Sequence, residues 1–267
     1  MTESEGADRA PTEVGFFRTP EGLRIVDSPT RGRILGLLGE GELPFEEIVV
    51  RTGRAKSTVS VHLRELVADG VLGSRNDPDD GRRKYFYIEA EYLGRLSDAE
   101  RLEADLGHLL SEYDPTDPDP SVFYRAVLRA IRVALLDGGI NIDPILQAAG
   151  RGIGRGLART FAGMTTGELL EALAGLWRRN ALGRIEVAAT APLELVVYDC
   201  FECVDLPYLG RPACAFEGGL LTAVFEAHFG GTVLVEETAC YAMGSGHCRF
   251  VIEPDATNHA DLSVSAA

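Results

Sequence analysis

Apolar residues in the first third of the chain recur at the spacing of three short helices. The first helix is predicted to begin at Ser28-Pro29, because serine is a favoured N-cap and proline a favoured first helical residue. The second begins at Pro44 and ends at Gly53. The third, RAKSTVSVHLRELVADG, has an apolar stripe at positions i, i+4, i+7 and i+8, made of Val59, Leu63, Leu66 and Val67.

A hairpin with a basic return strand follows the third helix. The segments VLGSR and RRKYFYIEA are joined by the turn DPDDG, which is typical of two antiparallel strands. The outward residues of the third helix are Lys56, Ser57, Thr58, Ser60 and Arg64, and the return strand begins with Arg82, Arg83 and Lys84. Three helices and a basic hairpin make a winged helix-turn-helix, whose third helix reads base edges while the wing meets phosphates. We therefore expect these eight residues to contact double-stranded DNA; a winged helix used only for protein contacts is the alternative.

The charge distribution agrees with this assignment although the whole chain carries a net charge of −15. Residues 1–90 hold 13 Arg and Lys against 16 Asp and Glu, and residues 51–84 hold 8 against 5. The only basic stretch is therefore the third helix with its hairpin, and most of the acidic excess belongs to residues 91–267.

The run STVSVHLRELVADGVL resembles the ArsR-like family of prokaryotic repressors, over about residues 20–90. The resemblance implies a transcription regulator. Residues 89–113 carry leucines at roughly helical spacing, and the proline-rich DPTDPDP follows. We expect a linker helix that serves as the seam of a homodimer, or that packs on its own chain.

The second half of the chain changes from helical to strand periodicity. Three helical segments are SVFYRAVLRAIRVALLDGG, IDPILQAAGRGIGRGLARTF and TTGELLEALAGLWRRN, the last opening with a capping box of Thr165 and Glu168. Four strands are GRIEVAAT, LELVVYD, GTVLVEET and CRFVIEP, with the helix EGGLLTAVFEAHF ahead of the third. This order predicts an α+β domain with an antiparallel sheet. The glycines at 150, 152, 154 and 156 have the wrong spacing and context for a nucleotide-binding loop, so we expect close helix packing there.

The expected organisation is a disordered acidic N-terminus at 1–20, a winged helix-turn-helix domain at 21–90, a linker helix and hinge at 91–119, a ligand-binding sensor domain at 120–254 and a flexible tail at 255–267. No apolar run is long enough to span a bilayer, and the N-terminus lacks the order of a signal peptide. We therefore expect a cytoplasmic protein that does not enter membranes.

All five cysteines lie within 49 residues near the C-terminus, at positions 200, 203, 214, 240 and 248. An odd number in a reducing compartment argues for metal binding or thiol chemistry rather than a disulfide framework. The patterns PxCxFEGGLL and VEETACYAMGSGHCRFVIEP are similar to the vinyl-4-reductase-type small-molecule-binding domain, over about residues 120–254. That domain occurs in phenol-responsive activators, in chlorophyll-biosynthesis accessory proteins and in archaeal regulators.

The resemblance to the phenol-responsive members implies a structural zinc ion held by three cysteines and a glutamate. The matching residues here are Cys214, Glu237, Cys240 and Cys248. A closed set of four thiolate and carboxylate ligands suits structural Zn²⁺. Unliganded buried cysteines and a purely redox cluster remain alternatives, and His247 could replace a neighbouring ligand.

Cys200 and Cys203, in YDCFECVDL, lie outside that set and are candidates for a redox-responsive pair. Acidic neighbours at 199, 202 and 205 should raise their thiol pKa values and slow oxidation. An auxiliary metal role and plain packing are the other possibilities.

Together these observations favour a homodimeric transcription regulator whose second domain senses a small-molecule effector or redox state. A metal sensor that uses the cysteine cluster is one alternative. An enzyme or accessory protein acting on a tetrapyrrole-like substrate is another, but no Ser/His/Asp or paired-carboxylate constellation supports it. We therefore expect no catalytic residues.

Overall fold

The computed structural model describes residues 13–39, 41–78, 80–97, 113–114 and 116–254. The chain divides into two compact units. The first comprises Met1–Glu103 and Leu135–Ile142, and the second comprises Ala104–Ala134 and Asp143–Ala267. Within the described ranges, every helix is too short or too polar to cross a membrane.

The first unit contains the predicted helix-turn-helix and hairpin. Its helices are α1 (Pro29–Leu38), α2 (Phe45–Thr52) and α3 (Lys56–Ala68). Its strands are β1 (Glu13–Thr19), β2 (Gly22–Val26), β3 (Leu43–Pro44), β4 (Leu72–Asn76), β5 (Lys84–Ile88), β6 (Glu91–Ser97) and β7 (Ile140–Asn141). The hairpin strands β4 and β5 pair antiparallel, and β3 adds to the other edge of β5. This three-stranded sheet is the wing.

Local signals account for the ends of these helices. The Ser28 side chain accepts a hydrogen bond from the Arg31 amide at 3.5 Å, and Pro29 is the first helical residue. Gly53 ends α2 in the left-handed conformation with φ 65°. On α3 the predicted apolar stripe points inward, since Val59, Leu63 and Leu66 are buried and Val67 partly so.

A second sheet in this unit corrects two expectations. Its order is β2-β1-β6-β7, so residues 13–19 are a strand rather than disordered chain, and residues 91–97 are a strand rather than the start of a linker helix. The physical reason is pairing between segments distant in sequence: Phe17 lies opposite Tyr92, with ring centroids 5.2 Å apart. Gly94 has φ 149°, which suits extended backbone and not a helix. The rest of the predicted linker helix, at 98–112, lies outside the described residues, as do residues 1–12 and 255–267.

The second unit is an α+β structure with an antiparallel sheet, as predicted. Its elements are α4 (Pro120–Asp137, of which residues up to 134 belong to this unit), α5 (Asp143–Thr160), α6 (Thr166–Arg179), β8 (Arg184–Thr190), β9 (Leu193–Tyr198), α7 (Ala215–Phe229), β10 (Val233–Ala239) and β11 (Cys248–Pro254). The sheet order is β10-β11-β9-β8, and every neighbouring pair is antiparallel. The capping box of α6 is present, with both Thr165 and Glu168 bonded as predicted.

Helices α5 and α7 cross at glycines. A Cβ atom on Gly150 would lie 2.0 Å from the Phe216 carbonyl oxygen, and one on Gly154 would lie 2.5 Å from that of Leu220. Gly152 and Gly156 would meet nothing within 4 Å. Close packing therefore explains two of the four glycines and leaves the other two without a structural role. Beneath this crossing lies a core that includes Trp177, Phe225 and Phe250, all fully buried.

Candidate metal centre and DNA-binding surface

Five cysteine side chains meet at one end of the second unit's sheet. Strands β9 and β10 end there, and β11 begins there with Cys248. Cys240 directly follows β10, and Cys214 is the N-cap residue of α7. The turn between β10 and β11 contains Gly244 at φ 81°, which allows Cys240 and Cys248 to approach one another. All five side chains are buried and none is in a disulfide.

Cys214 is the centre of this group. Its Sγ lies 3.2 Å from that of Cys203, 3.5 Å from Cys200, 3.6 Å from Cys248 and 3.9 Å from Cys240. The sulfurs of Cys203 and Cys248 are 3.2 Å apart. The expectation that Cys200 and Cys203 stand apart from the other three cysteines is therefore wrong: sequence distance does not reveal that the turn after β9 folds back onto the start of α7.

Two overlapping sets of four donor atoms have metal-binding spacing. One is Cys214, Glu237, Cys240 and Cys248, the predicted zinc set, and the other is Cys200, Cys203, Cys214 and Cys248. Within each set all four ligand atoms lie within 4.8 Å of one another. His247 belongs to neither set, and its ring lies 6.0 Å from that of Tyr198.

Glu237 has the free oxygen that a ligand needs. Its Oε2 accepts a hydrogen bond from the Cys214 amide at 2.9 Å, whereas its buried Oε1 has no hydrogen-bond partner among the described residues. Burial, together with the nearby Cys240, raises the pKa of Glu237 to about 9. A buried unpaired carboxyl oxygen is costly unless a proton or a cation satisfies it. The residues present therefore fit a thiophilic metal ion.

The sulfur cluster also has mixed protonation tendencies. Burial raises the pKa of Cys214 well above its ordinary value, whereas hydrogen bonds from Cys203 and Cys214 lower the pKa of Cys200 well below its own. Thiolates packed this closely repel one another, so only some of them ionise unless a cation is present. The arrangement is chemically suited to binding a metal ion with release of protons.

Glu202 fixes the turn that carries Cys200 and Cys203. Its two carboxyl oxygens accept hydrogen bonds from the Phe216 and Glu217 amides at 3.0 Å each, in the first turn of α7. Arg132 donates to the same carboxylate at 2.9 Å. Burial, opposed by Arg132, raises the pKa of Glu202 to about 7. The acidic residue between the two cysteines is therefore a structural tie to α7 with its own cationic partner.

Glu217 is a functional candidate that sequence reasoning missed. Its side chain is fully buried, with Oε1 accepting from Trp177 Nε1 at 2.5 Å and Oε2 3.4 Å from the Cys200 sulfur. Burial raises the pKa of this carboxyl well above its ordinary value. A glutamate in the first turn of an otherwise apolar helix was the available signal, but an acidic residue at that position is common on exposed helices as well.

The predicted DNA-binding residues lie on one side of the first unit's helix-turn-helix and wing. Those of α3 are exposed except for Ser60, which is half-buried, and the three wing cations are exposed. A groove of about 370 Å³ between α3 and the wing is lined by Ser60, Arg64, Arg82 and Lys84 over an apolar floor that includes Leu63 and Phe86. The structure thus places helix and wing cations beside one concave surface.

Comparison with known proteins gives matches for both units. Residues 28–83 match the family model of the MarR family, where the sequence resemblance indicated an ArsR-like module, and residues 193–254 match the model of the vinyl-4-reductase domain. The uncharacterized protein MJ0150 of Methanocaldococcus jannaschii is 26% identical over 155 residues, covering 57% of this chain and 88% of that protein. MJ1642 of the same organism is 35% identical over 80 residues, so the match spans 30% of this chain and half of that relative.

Two solved structures are also similar. The phenol-responsive sensory domain of the transcription activator PoxR has a TM-score of 0.35 at 17% identity, covering 74% of this chain and 90% of that one. A vinyl-4-reductase family protein from Methanocaldococcus jannaschii has a TM-score of 0.36 at 16% identity, covering 56% and 91%. The two family matches identify one segment in each unit: the chain carries a MarR-family helix-turn-helix segment at residues 28–83 and a vinyl-4-reductase domain at residues 193–254.

Proposed function

We propose that the protein is a DNA-binding transcription regulator, without catalytic activity, whose second unit senses a small-molecule effector or redox state. The observation that carries the proposal is the presence, in one chain, of a MarR-family segment with a cation-lined groove and a vinyl-4-reductase domain with a buried cysteine cluster. We propose the functional boundaries 21–90 for DNA binding and 120–254 for sensing.

In this proposal α3 enters the major groove and the wing meets the backbone. The small polar residues of α3 suit close approach to base edges, and Arg64 has the planar donor group that reads guanine. Arg82, Arg83 and Lys84 supply phosphate contacts. The test is a gel shift with the DNA upstream of the protein's own gene, alongside a scrambled duplex of equal length. Specific retardation supports the proposal, whereas equal or absent binding rejects it.

We propose that one zinc ion is held by Cys214, Glu237, Cys240 and Cys248. A tetrahedron with Zn–S bonds of about 2.3 Å has sulfur-sulfur edges of about 3.8 Å. The edges from Cys214 to Cys240 and to Cys248 are 3.9 and 3.6 Å. Bound zinc would supply a structural crosslink between the start of α7 and the ends of β10 and β11. Metal analysis of the purified protein tests this, and the absence of a thiophilic metal would reject it.

The effector pocket that we propose lies between α5, α6 and α7. A groove of about 600 Å³ there is lined by Arg155, Arg159, Phe161, Met164, Leu169 and His228. Burial lowers the pKa of His228, whose ring is 3.0 Å from the Thr166 hydroxyl. Apolar walls with two guanidinium groups suit a small anionic molecule. Native mass spectrometry of the freshly purified protein tests for a retained ligand.

We propose that the protein acts as a homodimer on a near-palindromic site. Helix α4 supports this with an exposed apolar face made of Phe123, Tyr124, Val127, Leu128 and Ile131. Large apolar residues grouped on one helix face usually mark an interface. Sedimentation equilibrium should give about twice the 28.8 kDa chain mass. A monomer at micromolar concentration would contradict this part of the proposal.

Metal sensing is the second candidate function, because the cysteine cluster offers more donor atoms than one tetrahedral ion can use. Redox sensing through Cys200 and Cys203 remains part of the main proposal. The two differ in their inducing signal: operator affinity should respond to added metal in the first case and to mild oxidant in the second.

A further inference from the structure

The cysteine cluster contains six donor residues arranged as two sets of four that share two members. We propose that it binds two divalent ions of the zinc class, bridged by the thiolates of Cys214 and Cys248. Cys200 and Cys203 would complete the set of one ion, and Glu237 and Cys240 that of the other. This extends the single-zinc site of the proposed function and rests on it.

The number of donors matches this arrangement. Two tetrahedral ions need about eight ligand positions, and six donors with two bridges fill eight. The bridges must be the donors common to both sets, and these are Cys214 and Cys248. Each therefore lies within 4.8 Å of every other donor of the cluster. Cys214 in particular approaches all four other sulfurs to between 3.2 and 3.9 Å.

The second set is built as firmly as the first. Cys200 and Cys203 have the two-residue separation that is typical of zinc-ligand turns. Backbone hydrogen bonds from the Cys203 and Val204 amides to the Cys200 carbonyl close this turn. Both side chains are fully buried. The Glu202 carboxylate then fastens the turn to the first turn of α7, where Cys214 begins the helix.

The charges around the cluster also suit a second cation. Five thiolates and one carboxylate carry six negative charges when all are ionised, and one divalent ion offsets only two of them. The guanidinium of Arg132 pairs with Glu202, and that of Arg129 pairs with Asp205, so the nearest cations already have anionic partners. A buried excess of negative charge is strongly unfavourable without counter-ions. A second ion allows Cys200 and Cys203 to ionise where otherwise they must keep their protons.

Metal titration of the full chain tests this inference. Reduced, metal-free protein is titrated with Co²⁺, whose tetrahedral thiolate absorption reports each ion, and zinc content is measured after dialysis against Zn²⁺. We expect two ions per chain in the wild type. Magnetic coupling between the two Co²⁺ ions should weaken the electron paramagnetic resonance signal as the second ion binds, because bridging thiolates connect them.

Two variants separate the sets. Cys200→Ser/Cys203→Ser and Cys240→Ser should each bind one uncoupled ion, and Glu236→Gln, at the exposed neighbour of Glu237, should still bind two. One ion per chain in the wild type, unchanged by Cys200→Ser/Cys203→Ser, would overturn the two-ion inference and leave the single-zinc proposal intact. No bound ion in the wild type would overturn both. The wild-type stoichiometry and coupling decide the question even if a variant fails to fold.

Discussion

The crossing of α5 and α7 gives a prediction whose sign differs between two glycines of one helix. At Gly150 a Cβ atom would stand 2.0 Å from the Phe216 carbonyl oxygen, about 1 Å nearer than real Cβ atoms come, whereas at Gly152 it would meet nothing within 4 Å. In Gly152→Ala only helix propensity changes, which should stabilise by about 1 kcal/mol. In Gly150→Ala the helices must separate, at a typical cost of about 1–3 kcal/mol for overpacking, against the same propensity gain.

The two variants should therefore differ by about 1–3 kcal/mol, or roughly 2–10 °C in Tm for a chain of this size. Thermal unfolding followed by the fluorescence of Trp177, the single tryptophan and a core residue of the second unit, measures this difference. Since Phe216 is two residues from Cys214, Gly150→Ala should also weaken metal binding while Gly152→Ala should not. Equal melting temperatures in the two variants would refute the crossing and the packing role assigned to Gly150.

Three further predictions concern DNA, metal and oxidant. Arg64→Ala should relax base preference at a cost of about 1–3 kcal/mol, whereas Arg83→Ala should weaken binding to all sequences and reduce the salt slope by about one unit; fluorescence anisotropy on operator and scrambled duplexes checks both. Cys240→Ser should lower both metal content and the Trp177-detected melting temperature, and full metal content would exclude Cys240 as a ligand. Removing metal with a chelator should expose Cys200 and Cys203 to mild oxidant, and disulfide mapping by mass spectrometry should then find them paired, with altered operator binding; unchanged binding would exclude redox signalling.

The elements that the sequence predicted well are those with local signals. The stripe of α3, the capping box of α6 and the turn between β4 and β5 depend on residues within about ten positions of one another. The zinc set was also predictable, because a family resemblance supplied what local pattern does not. The structure places its four donor atoms within 4.8 Å of one another.

What could not be predicted depends on contacts between distant segments. Leucine spacing favoured a helix after residue 90, but β6 pairs with β1 more than 70 residues away, and Gly94 suits the strand. Cys200 and Cys203 join the other cysteines because Glu202 bonds to the amides at the start of α7. Glu217 is distinguished only by its buried contact with Trp177. No pattern in the sequence encodes these pairings directly.

The most direct test of the account is the affinity of the full chain for the DNA upstream of its own gene, measured by fluorescence anisotropy across a range of salt concentrations against a scrambled duplex. A regulator should bind its own site at least about 10³-fold more tightly, and affinity for both duplexes should fall linearly with salt on logarithmic axes. Equal affinity for the two duplexes, or binding that does not respond to salt, would contradict the assignment of α3 and the wing to DNA recognition.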